Sequence, residues 1–112
     1  MVKLKANKFF LTDLFGDTVQ IKILETMLKL YIQESHSEHI IWKNLSEIAR
    51  SSNVAKSSAK RSLDLLKNQN FVEEQQISTH AQNPPRLFRI NPSNLVIKEL
   101  IFFYKKIRGL LL

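Results

Sequence analysis

The most informative stretch of the chain is residues 44–66, which read NLSEIARSSNVAKSSAKRSLDLL. Asn44 belongs to the residue types that cap helix N-termini, and Glu47 three positions later completes a capping-box pattern. We therefore predict a short helix that begins after Asn44 and ends near Ser51. Its apolar side consists of Leu45, Ile48 and Ala49.

A second helix is predicted after a tight turn at Ser52 and Asn53. Its apolar residues recur at i, i+4 and i+7; they are Ala59, Leu63 and Leu66. The opposite stripe is polar and consists of Ser57, Lys60, Arg61 and Asp64. Two helices that cross steeply need a small residue where they touch and a turn residue that tolerates positive φ. Ala49 and Asn53 occupy those two positions, so the stretch predicts a helix-turn-helix.

A β-hairpin is predicted directly after the second helix. Asn70 ends that helix, because asparagine tolerates the left-handed backbone conformation. Residues 71–79 and 86–90 read as strands, and the loop between them contains the rigid pair Pro84 and Pro85.

Further elements are predicted upstream of Asn44. Asp17 and Thr18 can cap a helix that runs to about Gln33. The core-facing stripe of this helix consists of Ile23, Leu24, Met27, Leu28 and Tyr31. Residues 39–42, HIIW, are β-branched and aromatic and read as a short strand. A brief helix or anchoring segment that packs into the core is expected from the apolar cluster Phe9, Phe10, Leu11, Leu14 and Phe15.

The last helix is predicted from about Leu95 to Arg108, between the helix-breaking residues 91–94 and Gly109. One apolar row has the spacing of a coiled-coil seam and consists of Val96, Leu100, Phe103 and Ile107. A second row consists of Ile97, Ile101 and Tyr104. Because one row suffices to dock the helix on its own domain, we predict that the first row joins two copies into a homodimer. In the alternative, both rows fold back onto the domain.

The composition indicates one domain and excludes several function classes. A chain of 112 residues with 44% hydrophobic residues is long enough for one core. It has no cysteine, which excludes a disulfide framework, a cysteine-type zinc site and thiol catalysis. The histidines are too scattered to form a metal site by spacing. No nucleophile-elbow serine, Gly-rich loop or carboxylate pair points to catalysis, so we expect neither an enzyme nor a cofactor.

The sequence shows no secretory signal and no apolar run long enough to span a bilayer. We therefore expect a cytoplasmic protein. Its net charge of +7 is unevenly distributed. Residues 1–8 carry +3, residues 43–67 carry +4, residues 86–89 carry +2 and residues 95–112 carry +3. Such clustering is expected of a face that binds phosphates, although the lysines of residues 1–8 equally fit a disordered tip.

The order of these motifs resembles the winged helix-turn-helix DNA-binding transcriptional regulators of archaea and bacteria, of the MarR-like and ArsR-like kind. The resemblance covers about residues 9–104. It rests on NLSEIARSSNVAKSSAKRSLDLLKNQNFVEEQ at 44–75, PPRLFRINPSNLVIKEL at 84–100 and LFGDTVQIKILETML at 14–28. Three positions depart from the usual pattern. Asn53 and Asn70 occupy positions where glycine is usual, and Ala55, a poorer helix cap, occupies a position where serine is usual.

The resemblance implies an α+β, mostly helical fold: a winged helix-turn-helix with a three-helix core, a β-hairpin wing and an additional C-terminal helix. It places the recognition helix at Lys56–Lys67, in the major groove, and the wing at residues 71–90, against the minor groove or the backbone. The expected organisation is a basic N-terminal arm at 1–8, the winged helix-turn-helix domain at 9–94 and a dimerising C-terminal helix at 95–112.

These features predict a protein that binds double-stranded DNA and regulates transcription. The predicted DNA contacts are Lys56, Ser57, Ser58, Lys60, Arg61, Asn44, Arg86 and Arg89. In the alternative, the basic residues form an ordinary solvated face and the fold serves as a protein-interaction module. An interaction surface would favour apolar or aromatic residues on the stripe at 57–64, which is polar. RNA binding is a weaker alternative, because the exposed aromatic platform that stacks bases is missing from the pattern.

Overall fold

The computed structural model describes residues 10–34, 42–76 and 85–109. Within these residues the helices are α1 (Phe10–Phe15), α2 (Val19–Glu34), α3 (Leu45–Ser52), α4 (Lys56–Asn68) and α5 (Leu95–Ile107). The strands are β1 (Lys43–Asn44), β2 (Val72–Gln76) and β3 (Arg86–Ile90). The predicted basic arm at 1–8, the predicted strand residues 39–41 and 77–79 and the predicted loop residues 80–84 lie outside the described residues.

The strands form one antiparallel sheet in the order β1-β3-β2. Strands β2 and β3 pair from Val72 opposite Ile90 to Gln76 opposite Arg86, which confirms the predicted hairpin in its described part. Of the strand predicted at 39–42, only Trp42 is described, and it lies just before β1; Lys43 and Asn44 pair with β3.

Helices α2, α3 and α4 pack against one another and form a three-helix core, with β3 against α2 and α3. The inward stripe predicted for α4 is confirmed, since Ala59, Leu63 and Leu66 are all buried. Strand β3 contributes Phe88 and Ile90 to the same core. From α2, the buried apolar residues are Ile23, Met27 and Leu28, while Leu24 and Tyr31 are half-buried at its edge.

Helix α1 fits the predicted core cluster only in part. Leu11 is buried and Phe10 packs against the core, but Leu14 and Phe15 are 56% and 58% exposed. The helix has only six residues and is ended by Gly16, whose φ of 108° leaves helical geometry. One turn and a half cannot turn every apolar side chain of the cluster toward the core. The expectation of plain core packing is therefore wrong for Leu14 and Phe15.

Helix α5 begins at the cap Asn94, whose Oδ1 accepts from the Ile97 N–H at 3.1 Å. Its second predicted row docks it on the domain, because Ile97 and Tyr104 are buried. The four residues of the row predicted as a dimer seam differ in their exposure to solvent. Val96 and Phe103 are 52% and 39% exposed, whereas the other two members, Leu100 and Ile107, are half-buried against the core.

Candidate nucleic-acid interface

The turn between α3 and α4 has the geometry that the sequence predicts. Asn44 accepts from the Glu47 N–H at 2.9 Å and its own N–H donates to the Glu47 carboxylate at 3.2 Å, so the capping box is complete. Asn53 lies in the left-handed region, with φ 59° and ψ 46°. Its N–H and that of Val54 donate to carbonyls at the end of α3, including that of Ala49. The carbonyls of Ala49 and Arg50 at the end of α3 are thus hydrogen-bonded as the chain turns toward α4.

Helix α4 presents a basic and polar face to solvent. Lys56, Ser57, Lys60 and Arg61 are all exposed, opposite the buried row that faces the core. Ser58 is half-buried beside them. Lys60 lies 3.6 Å from the carboxylate of Asp64 one turn later. In the described part of the chain, no carboxylate forms an ion pair with Lys56 or Arg61.

The N-terminus of α4 lacks a side-chain cap. Ala55 has the extended backbone of a cap residue, with φ −66° and ψ 147°, but no side-chain atom that can accept from the first turn. The first N–H groups of any helix have no acceptor within the helix itself. They carry the positive end of the helix dipole, so this end of α4 favours an anion.

The two arginines of β3 lie on opposite faces of the sheet, as the alternation of side chains along a strand requires. Arg86 is on the face that carries Phe88 and packs toward α4, where its guanidinium donates to Asp64 at 2.8 Å and to Glu74 at 2.6 Å. Arg89 is on the other face. It donates to Glu73 at 2.8 Å and its guanidinium carbon lies 4.7 Å from the ring centre of Trp42.

The predicted contact residues therefore fall into three groups. The first is the outward face of α4, where five of them lie together: Lys56, Ser57, Ser58, Lys60 and Arg61. Arg86 adjoins this group through Asp64, which also faces Lys60. Asn44 lies in the cap of α3, and Arg89 lies on the far face of the hairpin, so neither is on α4.

Three solved structures are similar to this chain in overall fold. A possible transcriptional regulator from Methanosarcina mazei is similar over 97% of this chain and 91% of its own, with a TM-score of 0.56 and 13% identity. The apo form of a double mutant of Lactococcus lactis ZitR is similar over 88% of this chain and 68% of its own, with a TM-score of 0.56 and 14% identity. A homodimeric winged helix-turn-helix DNA-binding domain from Mycobacterium bovis, a possible ArsR-family transcriptional regulator, has a TM-score of 0.47 and 16% identity. No family model and no curated protein matches the chain.

Three packed helices, a tight turn between the last two and an antiparallel hairpin directly after them define the architecture. The fold is a winged helix-turn-helix. In this fold, α4 is the second helix of the helix-turn-helix and the β2–β3 hairpin occupies the position of the wing. The sequence prediction of this fold, with an additional C-terminal helix, is confirmed.

Sequence reasoning missed the carboxylates that connect the β2–β3 hairpin to α4. Glu74 is only 8% exposed and accepts from both Arg86 and Lys67, the latter at 2.8 Å. The hydrogen bond from Arg86, supported by Lys67, lowers the pKa of Glu74 from 4.5 to about 2. The register of the hairpin is the feature from which the Arg86–Glu74 ion pair could have been predicted. Because Arg86 lies opposite Gln76, it is a diagonal neighbour of Glu74, a position from which long side chains reach one another.

The described residues were also compared with the requirements of a membrane-spanning helix and of a metal site. None of the described helices is long and apolar enough to cross a membrane. The same residues contain no group of three or more histidine, aspartate or glutamate side chains placed to hold a metal ion.

Proposed function

We propose that the protein is a non-enzymatic regulator of transcription that binds double-stranded DNA, with α4 in the major groove and the β2–β3 hairpin as a wing. The observation that carries this proposal is the outward face of α4. It combines exposed cations with hydroxyl groups and an uncapped helix N-terminus, on the helix that follows the turn. The structure described as a possible transcriptional regulator from Methanosarcina mazei, similar over 97% of this chain, is in line with this proposal.

The first turn of α4 is suited to a backbone phosphate. Its free N–H groups attract an anion, and the hydroxyls of Ser57 and Ser58 add donors beside the ammonium group of Lys56. A phosphate oxygen would supply the acceptor that Ala55 lacks. Asn44, at the start of α3, is the corresponding polar residue at a second helix N-terminus and is proposed as a further backbone contact.

Lys60 and Arg61 are the proposed base-reading residues. They lie one turn into the helix, where side chains of a recognition helix meet base edges. Both are exposed, and arginine and lysine donate to the two acceptors of guanine in the major groove. The Lys60 ammonium can leave Asp64 for a base, because exposed ion pairs at this spacing contribute only about 0.3–0.5 kcal/mol.

Arg89 is the proposed backbone contact of the wing. Its partner Glu73 is 40% exposed, so the ion pair between them is partly hydrated and weak. Stacking on Trp42 fixes the plane of the guanidinium while leaving donors for a phosphate. A phosphate can therefore replace or join Glu73 at little cost.

A homodimer formed through α5 is part of the proposal. Val96 and Phe103 of the predicted seam are exposed, and so are Leu95 and Phe102 beside them, at 75% and 53%. Four exposed large apolar side chains on one helix are more than a small monomer usually leaves in water, and a second copy would cover them. Leu100 and Ile107 would line the edge of that contact. Two copies of α4 would then lie on one face of the duplex and favour an inverted repeat with half-sites about one helical turn apart.

The experiment that tests this function is selection of preferred duplexes from a random library, followed by affinity measurements on variants. We expect Arg61→Ala or Lys60→Ala to weaken the selected site by about 1–3 kcal/mol and to relax the preference at one base position. Lys98→Ala, which removes an exposed charge from α5, is the matched control and should bind with unchanged preference. Selection that enriches no sequence, or two variants with unchanged affinity and an intact fold, would contradict the proposed recognition helix.

A further inference from the structure

Arg86 connects the recognition helix to both strands of the wing. From β3, its Nη2 donates to Asp64 on α4 at 2.8 Å and to Glu74 on β2 at 3.0 Å, while its Nε donates to Glu74 at 2.6 Å. Lys67 of α4 also reaches Glu74, at 2.8 Å. These side chains therefore form one ion network, hereafter the wing clamp, made of Asp64, Lys67, Glu74 and Arg86.

Within the wing clamp, Arg86 and Glu74 are the pair whose charges cannot separate cheaply. Their side chains are 26% and 8% exposed, whereas those of Asp64 and Lys67 are 42% and 48% exposed. The guanidinium also lies over the ring of Phe88, 5.1 Å from its centre. The bidentate fork of an arginine on a carboxylate fixes both partners in orientation as well as in distance. If Arg86 turned toward a phosphate, Glu74 would lose its main partner while still shielded from water.

Asp64 gives the wing clamp a consequence for DNA binding. Its carboxylate faces Lys60 at 3.6 Å and lies on the helix proposed to enter the groove, where a bare negative charge would repel phosphates. Because Arg86 holds Asp64 independently of Lys60, at 2.8 Å, Lys60 could move to a base without leaving Asp64 unpaired. The carboxylate is then still compensated, and the wing keeps its position against α4.

We infer that Arg86 is a positioning residue, which sets the wing against the recognition helix and neutralises Asp64, and that it does not itself contact DNA. This inference rests on the proposed function and revises the role predicted for Arg86 from the sequence. It distinguishes Arg86, which holds a Glu74 side chain that is 8% exposed, from Arg89, whose partner Glu73 is 40% exposed.

The test combines a double-mutant cycle in the absence of DNA with binding measurements over a salt series. Arg86→Met keeps the packing of the side-chain stem but removes the guanidinium, and Asp64→Asn keeps the shape of its partner. Urea unfolding of the wild type, both single variants and the double variant gives the coupling between the two residues. We expect the two substitutions to be non-additive by at least about three-fold in the unfolding equilibrium constant.

Binding is measured where circular dichroism shows every variant to be folded. We expect Arg86→Met to weaken duplex binding about ten-fold while the slope of log K against log salt stays that of the wild type. A lost phosphate contact would instead make that slope shallower by about 0.9. Arg86→Lys should not restore affinity, because an ammonium cannot hold Asp64 and Glu74 together in the fork geometry.

The outcomes test separately the role of Arg86, the existence of the wing clamp and the proposed DNA binding. A slope that is shallower by about 0.9 in Arg86→Met, or full rescue by Arg86→Lys, would show that Arg86 contacts phosphate and would overturn the inference. Additive unfolding of the two single variants would overturn the wing clamp, whatever the DNA result. A folded wild type that binds no duplex would contradict the proposed function, and with it the role of Arg86 in binding, while a measured coupling would still establish the clamp.

Discussion

Glu25 is a fully buried carboxylate that joins three helices. From α2 it accepts from the backbone N–H groups of Phe10 and Leu11 at 2.6 and 2.7 Å and from the hydroxyl of Tyr104 at 2.8 Å. It thereby caps α1 from a distance and ties α5 to the same point. Burial, and then the hydrogen bond to Glu25, raises the pKa of Tyr104. A single residue thus fixes the two helices that carry most of the exposed apolar surface.

We expect Glu25→Ala to lower the free energy of unfolding by about 3 kcal/mol or more, because three donors, two of them in buried hydrogen bonds, lose their acceptor at once. Tyr104→Phe removes one donor of the three and should cost only about 1 kcal/mol. Urea unfolding of both variants measures the difference. If Glu25→Ala cost no more than Tyr104→Phe, the carboxylate would not hold α1 and α5 as described.

Glu74 makes the fold sensitive to acid. Its pKa in the folded protein, about 2, lies below the ordinary value of 4.5, because Arg86 and Lys67 stabilise the charged form. The stability that this provides is complete above about pH 5 and is lost as the pH falls toward 2. The shift corresponds to about 3 kcal/mol at most. We expect Glu74→Gln to be less stable at pH 7 and to lose less stability than the wild type between pH 5 and 2, as thermal unfolding at several pH values would show. Equal pH dependence in the two proteins would contradict the ion pairing.

At the scale of the elements, the residue types at the helix ends predict where the helices begin and end. Asn44 with Glu47, Asn53 and Asn94 each perform in the structure the capping or turn role that their type predicts. These roles depend on residues a few positions apart, and short-range chemistry can be read from the sequence. The helix-turn-helix and the hairpin were predictable for this reason.

The parts that could not be predicted depend on distant contacts. Nothing local shows that Glu25 meets Tyr104, 79 residues later, or that Arg86 meets Asp64, 22 residues earlier. The exposure of Leu14 and Phe15 is likewise set by how far α1 reaches along the core, which its own residues do not encode. Which face of α5 packs inward depends on its contact with α2. The periodicity of α5 therefore showed two apolar rows but not which of them packs against the domain.

The uncapped start of α4 gives a prediction in which stability and binding change in opposite directions. Ala55→Asp supplies a side-chain acceptor and a negative charge at the helix N-terminus, so we expect the fold to be stabilised by about 1 kcal/mol. The same carboxylate would occupy the site proposed for a phosphate, so duplex binding should weaken. Ala55→Ser, which caps without charge, is the control and should weaken binding less. An Ala55→Asp variant that is more stable and binds DNA as tightly as the wild type would show that no phosphate lies at this helix end.

At the scale of the whole molecule, the apolar surface of α5 predicts a dimer. We expect the full chain to sediment as a dimer at micromolar concentration and Val96→Asp with Phe103→Asp to sediment as a monomer, because charged residues cannot be buried unpaired at an interface. Leu65→Asp, on α4, removes another large exposed apolar side chain and should leave the dimer intact. Sedimentation equilibrium measures all three. A wild-type monomer, or a dimer that survives both substitutions in α5, would exclude this helix as the interface.

The central claim is that the face built around α4 binds the backbone of duplex DNA. The most direct measurement is the affinity of the full chain for random duplex DNA over a salt series. With Lys56 and Arg89 as phosphate contacts of each copy, log K should fall against log salt with a slope of about −1.8 for one bound copy and about −3.6 for a dimer. A flat salt dependence, or no duplex binding at low salt, would contradict the proposed binding of the DNA backbone by this face.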